Sequence, residues 1–176
     1  MRRVTRRNII VLVSVLFGLL IIVGRTFRMF TRPRLLPSRG TVRRVVDGDT
    51  LHLSNGLIVR LQEIDAPELF GEQSYMANEA RNALFVLCYR KRVRLEAADR
   101  HMDKYGRFVA YLYLPQGKEK DAPELFVNAD LVRRGYAQAK SYGAPGPHFQ
   151  EIVDAEKAAK ASKVGIWKSS PAKATE

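Results

Sequence analysis

The 176-residue chain contains a single cysteine, Cys88. An internal disulfide framework is therefore excluded, and no disulfide-linked partner is expected. A small apolar filler on a helix is the role that suits this thiol. Histidine is almost as scarce. His52, His101 and His148 are scattered and show no spacing suited to zinc. No G-x-S-x-G nucleophile motif occurs, and no glycine loop of the kind that cradles phosphates. There is no low complexity and no long repeat. Acidic side chains are missing from residues 1–40, which hold nine arginines.

That last absence decides how the net charge of +12 is read. Outside residues 1–40 the chain carries 21 basic and 18 acidic residues, a net of only +3. The charge excess thus flanks an apolar segment, where arginines commonly border a membrane span, and does not by itself point to nucleic acid. Residues 1–8 form a basic segment. Residues 9–24 form a transmembrane or signal-anchor segment, whose apolar stretch Ile9–Val23 would extend about 22 Å as a helix. That is short against a bilayer core of about 30 Å, but usable if flanking arginines snorkel. No A-x-A-like cleavage site follows, so the expectation is a retained single-pass anchor, with release after signal cleavage as the alternative. Four arginines lie on each side of the segment. The free amine tips the balance towards an inside amino terminus and an extracytoplasmic domain. A mitochondrial membrane is the alternative for a eukaryotic source. Residues 25–40 read as a basic, proline-containing linker. A domain is expected over 41–168 and a flexible tail over 169–176. Oligomeric state is left open.

Within the domain, strands come first. Thr41–Val46 is rich in β-branched residues, Asp47-Gly48-Asp49 interrupts it, and Thr50–Leu53 alternates again. Asn55-Gly56 between Thr50–Leu53 and Leu57–Ile64 is a strong hairpin signal. The odd positions of Leu57–Leu61 are apolar, so Arg60 points away from the core. Further strands are expected at Arg92–Leu95 and Arg107–Tyr113. Helices are expected at Tyr75–Cys88, at about Phe126–Arg134 closed by Gly135, and from about Pro147 to Lys163 with Gly165 as C-cap. This pattern gives an α+β domain: a five-stranded OB-type barrel with about three helices, preceded by the anchor segment.

Each candidate for chemistry has a plain structural reading. Asp47-Gly48-Asp49 is turn chemistry whatever else it does. Asp65-Ala-Pro-Glu68 is helix-start chemistry. The hexapeptide Asp-Ala-Pro-Glu-Leu-Phe occurs twice, at 65–70 and 121–126; a cap before the following helix explains the second copy. Context separates the first copy, which follows a strand bearing Arg60 and comes soon after the Asp-bearing turn. Asp49 and Asp65 offer hard oxygen ligands suited to calcium or a similar cation. Glu68 can accept a proton from water or orient it. Arg60 and Arg107 can fork onto phosphate oxygens. Together these are the parts needed for water to displace an alkoxide at a phosphodiester.

The motifs carrying these residues resemble the staphylococcal nuclease (thermonuclease) family. They are Val45-Val-Asp-Gly-Asp-Thr-Leu51, Val59-Arg-Leu-Gln-Glu-Ile-Asp-Ala-Pro-Glu68, Asp103-Lys-Tyr-Gly-Arg107 with Ala110-Tyr111, Val127-Asn128 with Leu131-Val-Arg-Arg-Gly135, and Gly165-Ile-Trp167. The resemblance implies a five-stranded OB barrel with three helices. It implies calcium held by Asp49, Asp65 and the backbone carbonyl of Ala66, with Glu68 as general base or water-orienter and Arg60 and Arg107 on the attacked phosphate. It places Lys104 and Tyr105 near bound nucleotide, Asp47 behind the calcium ligands, and Arg133 and Glu156 in a buried structural ion pair. The implied substrate is DNA and/or RNA, cut with little sequence demand. Two departures stand out: a shorter loop after Glu68, and Ser141, with Tyr142 beside it, where the family has a nucleotide-contacting tyrosine. The alternatives are a catalytically inactive nuclease-like module that binds nucleic acid or protein at a membrane, and a membrane adaptor using the barrel as scaffold. All five acidic and arginine positions are retained, which favours the active enzyme.

Overall fold

In the computed structural model of the chain, residues 36–69, 75–119 and 121–168 are described. Residues 1–35, on which the expected anchor segment 9–24 falls, and the expected tail 169–176 lie outside them. Among the described residues no helix is long and apolar enough to cross a membrane.

The elements run β1 (Arg39–Val45), β2 (Thr50–Leu53), β3 (Ile58–Leu61), β4 (Ile64–Asp65), α1 (Ala77–Cys88), β5 (Arg92–Met102), β6 (Phe108–Pro115), β7 (Glu124–Phe126), α2 (Val127–Arg133), β8 (Gln138–Ala139), α3 (Phe149–Ala161) and a short 3-10 turn at Gly165–Trp167. Strands β3-β2-β1-β5-β6 are adjacent in that order, and a parallel β3–β6 pairing closes the sheet into a five-stranded barrel. Closure removes the exposed sheet edges. The barrel interior is aliphatic: Val42, Leu51, Val59, Ala110 and Leu112 are fully buried. Helix α1 adds Ala77, Ala80, Leu84 and Cys88, spaced to lie on one face. Burial pushes the Cys88 thiol up to about 12, as befits a packing residue.

The structure departs from the sequence pattern at several points. The run Leu57–Ile64 is not one strand. It breaks at Gln62-Glu63, where Glu63 adopts φ 60, and β4 then leaves the barrel to pair with β8. Periodicity did not reveal the break because the residues flanking it, Leu61 and Ile64, are both buried. The second Asp-Ala-Pro-Glu-Leu-Phe runs up to α2, with Phe126 at its N-cap position, but no side chain of it caps the helix. Its Glu124–Phe126 pairs with β6, and Glu124 holds Arg94 at 2.6 Å; the strand partner, remote in sequence, overrides local capping chemistry. Gly165 does not close α3, which ends at Ala161 and reaches its left-handed residue at Lys163. Arg133 is exposed, and Glu156 pairs with Lys160 at 2.6 Å and accepts the Ala139 N–H. The implied Arg133–Glu156 pair therefore does not form.

Buried polar groups hold the loops to the barrel. Asn128 accepts the Leu112 N–H at 3.0 Å and donates to the Gln62 carbonyl at 2.8 Å. Glu63, 2% exposed, accepts the Tyr111 hydroxyl at 2.8 Å and the Gly146 N–H. The break in the strand is thus fixed from both sides, and Asp65 is delivered to one place.

Candidate active site

The site begins with the turn between β1 and β2. Asp47 accepts the Asp49 N–H at 3.0 Å, an Asx-type bond that sets the turn. Gly48 lets it press inward: a Cβ there would lie 2.6 Å from Ala66 Cβ and 2.8 Å from Ala80 Cβ. Asp49 is buried. Its Oδ1 accepts the Thr50 hydroxyl at 3.0 Å and its Oδ2 accepts the Ala66 N–H at 2.9 Å.

Arg60, on β3 opposite Thr50, joins this turn to β4. Its Nη1 lies 2.6 Å from Asp49 Oδ2 and its Nη2 lies 3.0 Å from Asp65 Oδ1. It also donates to the Ile64 carbonyl at 3.1 Å. One planar guanidinium therefore spans both carboxylates, a geometry that an ammonium cannot reproduce. Burial, the largest influence on Asp49, pushes its carboxyl up to about 7 against the pull of Arg60. Burial also works against charge on Asp65, but hydrogen bonds from Lys140, Tyr142 and Gln138 outweigh it and lower its pKa. Two carboxylates of one site are thus driven in opposite directions by their surroundings.

Arg107 belongs to a second cluster. The parallel register Val59↔Phe108 and Arg60↔Val109 puts Arg107 on the same sheet face as Arg60, offset by two residues, or roughly 7 Å along the strand. Asp103 builds the turn that presents it. Oδ1 accepts the Tyr105 and Arg107 N–H groups at 2.9 and 3.0 Å, and Oδ2 accepts Arg107 Nε at 2.6 Å. Burial opposes the Asp103 charge, yet these bonds from Arg107 and Tyr105 lower its pKa. Tyr105 is exposed, and both Lys104 Nζ and the Arg107 guanidinium lie over its ring, at 5.0 and 5.2 Å. Glu68 stands exposed on the chain leaving β4.

Asp47, Asp49, Arg60, Asp65 and Ala66 therefore form one connected group, and Lys104, Tyr105 and Arg107 a second on the same face of the barrel. The residues that hold these groups in place carry little sequence signal. Asp103 occurs in a quoted motif, but its spacing resembles an ordinary turn. Gln138 and Lys140 reach Asp65 through a two-residue strand, β8, too short to leave a periodic signal. Tyr142, the neighbour of Ser141, donates its hydroxyl to Asp65 Oδ1 at 2.9 Å.

Residues 58–169 match the family model described as "Staphylococcal nuclease homologue". The chain belongs to the staphylococcal nuclease homologue family. It is 30% identical over 159 residues to a micrococcal nuclease of Shigella flexneri, covering 88% of this chain and 87% of that protein. It is 32% identical to a thermonuclease of Staphylococcus intermedius, over 72% of this chain and 74% of the relative. An uncharacterized endonuclease of Haemophilus influenzae is 34% identical, with 72% and 64% covered. The closed five-stranded barrel with three helices is the architecture this membership implies, and the chain is a hydrolase of the nuclease type.

Proposed function

We propose that this nuclease is a calcium-dependent endonuclease that hydrolyses phosphodiester bonds of DNA and/or RNA with little sequence demand. The observation that carries the reading is the single Arg60 guanidinium tied to both Asp49 and Asp65. It gathers two hard oxygen ligands and a phosphate-binding fork into one place. Among the described residues no group of three His, Cys, Asp or Glu side chains is arranged to hold an ion. A cation at Asp49 and Asp65 would complete its shell with the Ala66 carbonyl and water, which suits calcium. The oxygen-only donor set fits that ion.

When bound, calcium would polarise the phosphoryl oxygen and lower the pKa of an adjacent water. The protein's own residues do the rest. Glu68 accepts the proton of the attacking water as its oxygen bonds to phosphorus. Arg60 and Arg107 hold the non-bridging oxygens while charge builds and the bond to the leaving alkoxide breaks. Asp47 keeps the Asp49 turn in shape, and Asp103 does the same for Arg107. Lys104 and Tyr105 offer a cation and an aromatic face to the nucleotide, contacts that every sequence can make. Residues 9–24 are proposed to tether the enzyme to a membrane, with the nuclease domain on the extracytoplasmic side.

Digestion of single-stranded DNA with calcium or with EDTA tests the reaction. Equal cleavage in both, or none with any divalent ion, would sink the reading and favour an inactive binding module. Glu68→Ser and Arg107→Gly should each slow cleavage at least about 100-fold while the domain stays folded. Carbonate extraction should leave the full-length protein in the membrane pellet; recovery of a shorter soluble form would point to a cleaved signal.

A further inference from the structure

Asp65 is hydrogen-bonded on every side. Oδ1 accepts Arg60 Nη2 at 3.0 Å and the Tyr142 hydroxyl at 2.9 Å. Oδ2 accepts Lys140 Nζ at 2.9 Å and Gln138 Nε2 at 3.3 Å. A carboxylate has about four lone-pair sites, so this set saturates it. No cation can reach Asp65 without displacing a donor.

The four donors are not equally free to leave. Arg60 has 12% of its side chain exposed and also holds Asp49 and the Ile64 carbonyl. Gln138 lies directly across the antiparallel β4–β8 ladder from Asp65. Lys140 follows that ladder, its N–H on the Glu63 carbonyl at 3.0 Å. From there its side chain reaches Asp65 along the diagonal, a separation that only a long side chain spans. Its side chain is 44% exposed, and Tyr142 is 63% exposed. The Lys140 ammonium sits 5.0 Å from the Tyr142 ring centroid, so the two cover the carboxylate as one unit.

We propose that Lys140 and Tyr142 form a clasp over Asp65 that a divalent cation must open, which makes Lys140 the residue that sets cation affinity at this site. The inference rests on the calcium reading above. Ammonium and cation compete for the same oxygen, and the ammonium, held by one exposed ion pair, is the weaker-held of the two cationic donors. Once displaced, its charge still repels the incoming ion, so the clasp raises the calcium concentration at which the site fills.

The test is calorimetric titration of the metal-free, full-length protein with calcium chloride. Lys140→Met should lower the calcium Kd by about threefold to tenfold, through loss of the competing ion pair and of a like charge. Tyr142→Phe should shift it the same way by less, and Lys140→Gln should fall between Lys140→Met and the wild type. Lys157→Met, which removes an equal charge from an exposed pair with Asp154 on α3, should leave it unchanged. Damage to the site would weaken binding, so tightening separates a clasp from a structural role. Binding by Lys140→Met equal to or weaker than the wild type overturns the clasp alone. No calcium binding by any of the proteins overturns the calcium reading and the clasp with it.

Discussion

Asp49 allows the most quantitative prediction. It is 5% exposed. Burial holds its carboxyl near 7 against the ordinary 3.8, with Asp47 adding to the rise and Arg60, the Ala66 N–H and the Thr50 hydroxyl opposing it. Linkage fixes the sign. Between pH 3.8 and about 7 the folded protein keeps a proton that the unfolded chain gives up, so stability falls as pH rises through that window. The difference corresponds to roughly 4 kcal/mol at full development. Asp65, with its lowered pKa, acts the other way: its contribution is present above the unfolded value and is lost as pH falls below it, outside the window. The assay is urea unfolding in EDTA from about pH 4.5 to 8, on the wild type and Asp49→Asn. The variant removes the titration, so the wild type should lose stability relative to it as pH rises. Saturating calcium should restore that loss in the wild type, because the ion binds the deprotonated carboxylate. Parallel curves for the two proteins in EDTA would refute the reasoning. They would mean that Arg60 fully offsets the burial of Asp49 and that the carboxylate is charged throughout.

Three further outcomes follow from the same geometry. Arg60→Lys keeps the charge but cannot span Asp49 and Asp65, so cleavage should drop at least about 100-fold; a near-normal rate would show that the fork is unnecessary. Gly48→Ala drives a Cβ against Ala66 and Ala80, and should cost about 1–3 kcal/mol in denaturant unfolding and loosen calcium binding. Glu63→Ala strands the Tyr111 hydroxyl and the Gly146 N–H, and should lower stability by about 2 kcal/mol or more, read as a fall in Tm.

Much of the barrel was legible in the chain because its signals are local. β2 follows alternation in Thr50–Leu53, α1 follows the spacing of Ala80, Leu84 and Cys88, and α2 stops at Gly135, whose φ of 73 suits glycine. Two of the departures share one cause. The break at Gln62-Glu63 is fixed by Asn128, Tyr111 and Gly146, far along the chain. The strand at Glu124–Phe126 depends on β6, where local chemistry suggested a cap.

The sequence by itself determined which residues are available for chemistry: two aspartates, a glutamate, two arginines, and the motif order that carries the family resemblance. It could do so because turn chemistry and strand alternation depend on near neighbours. Only the tertiary structure decided that Arg60 holds both aspartates at once and that Lys140 and Tyr142 close over Asp65. Those contacts join residues as many as 77 positions apart. Barrel closure and the β4–β8 ladder bring them together, and no local pattern encodes such a distance.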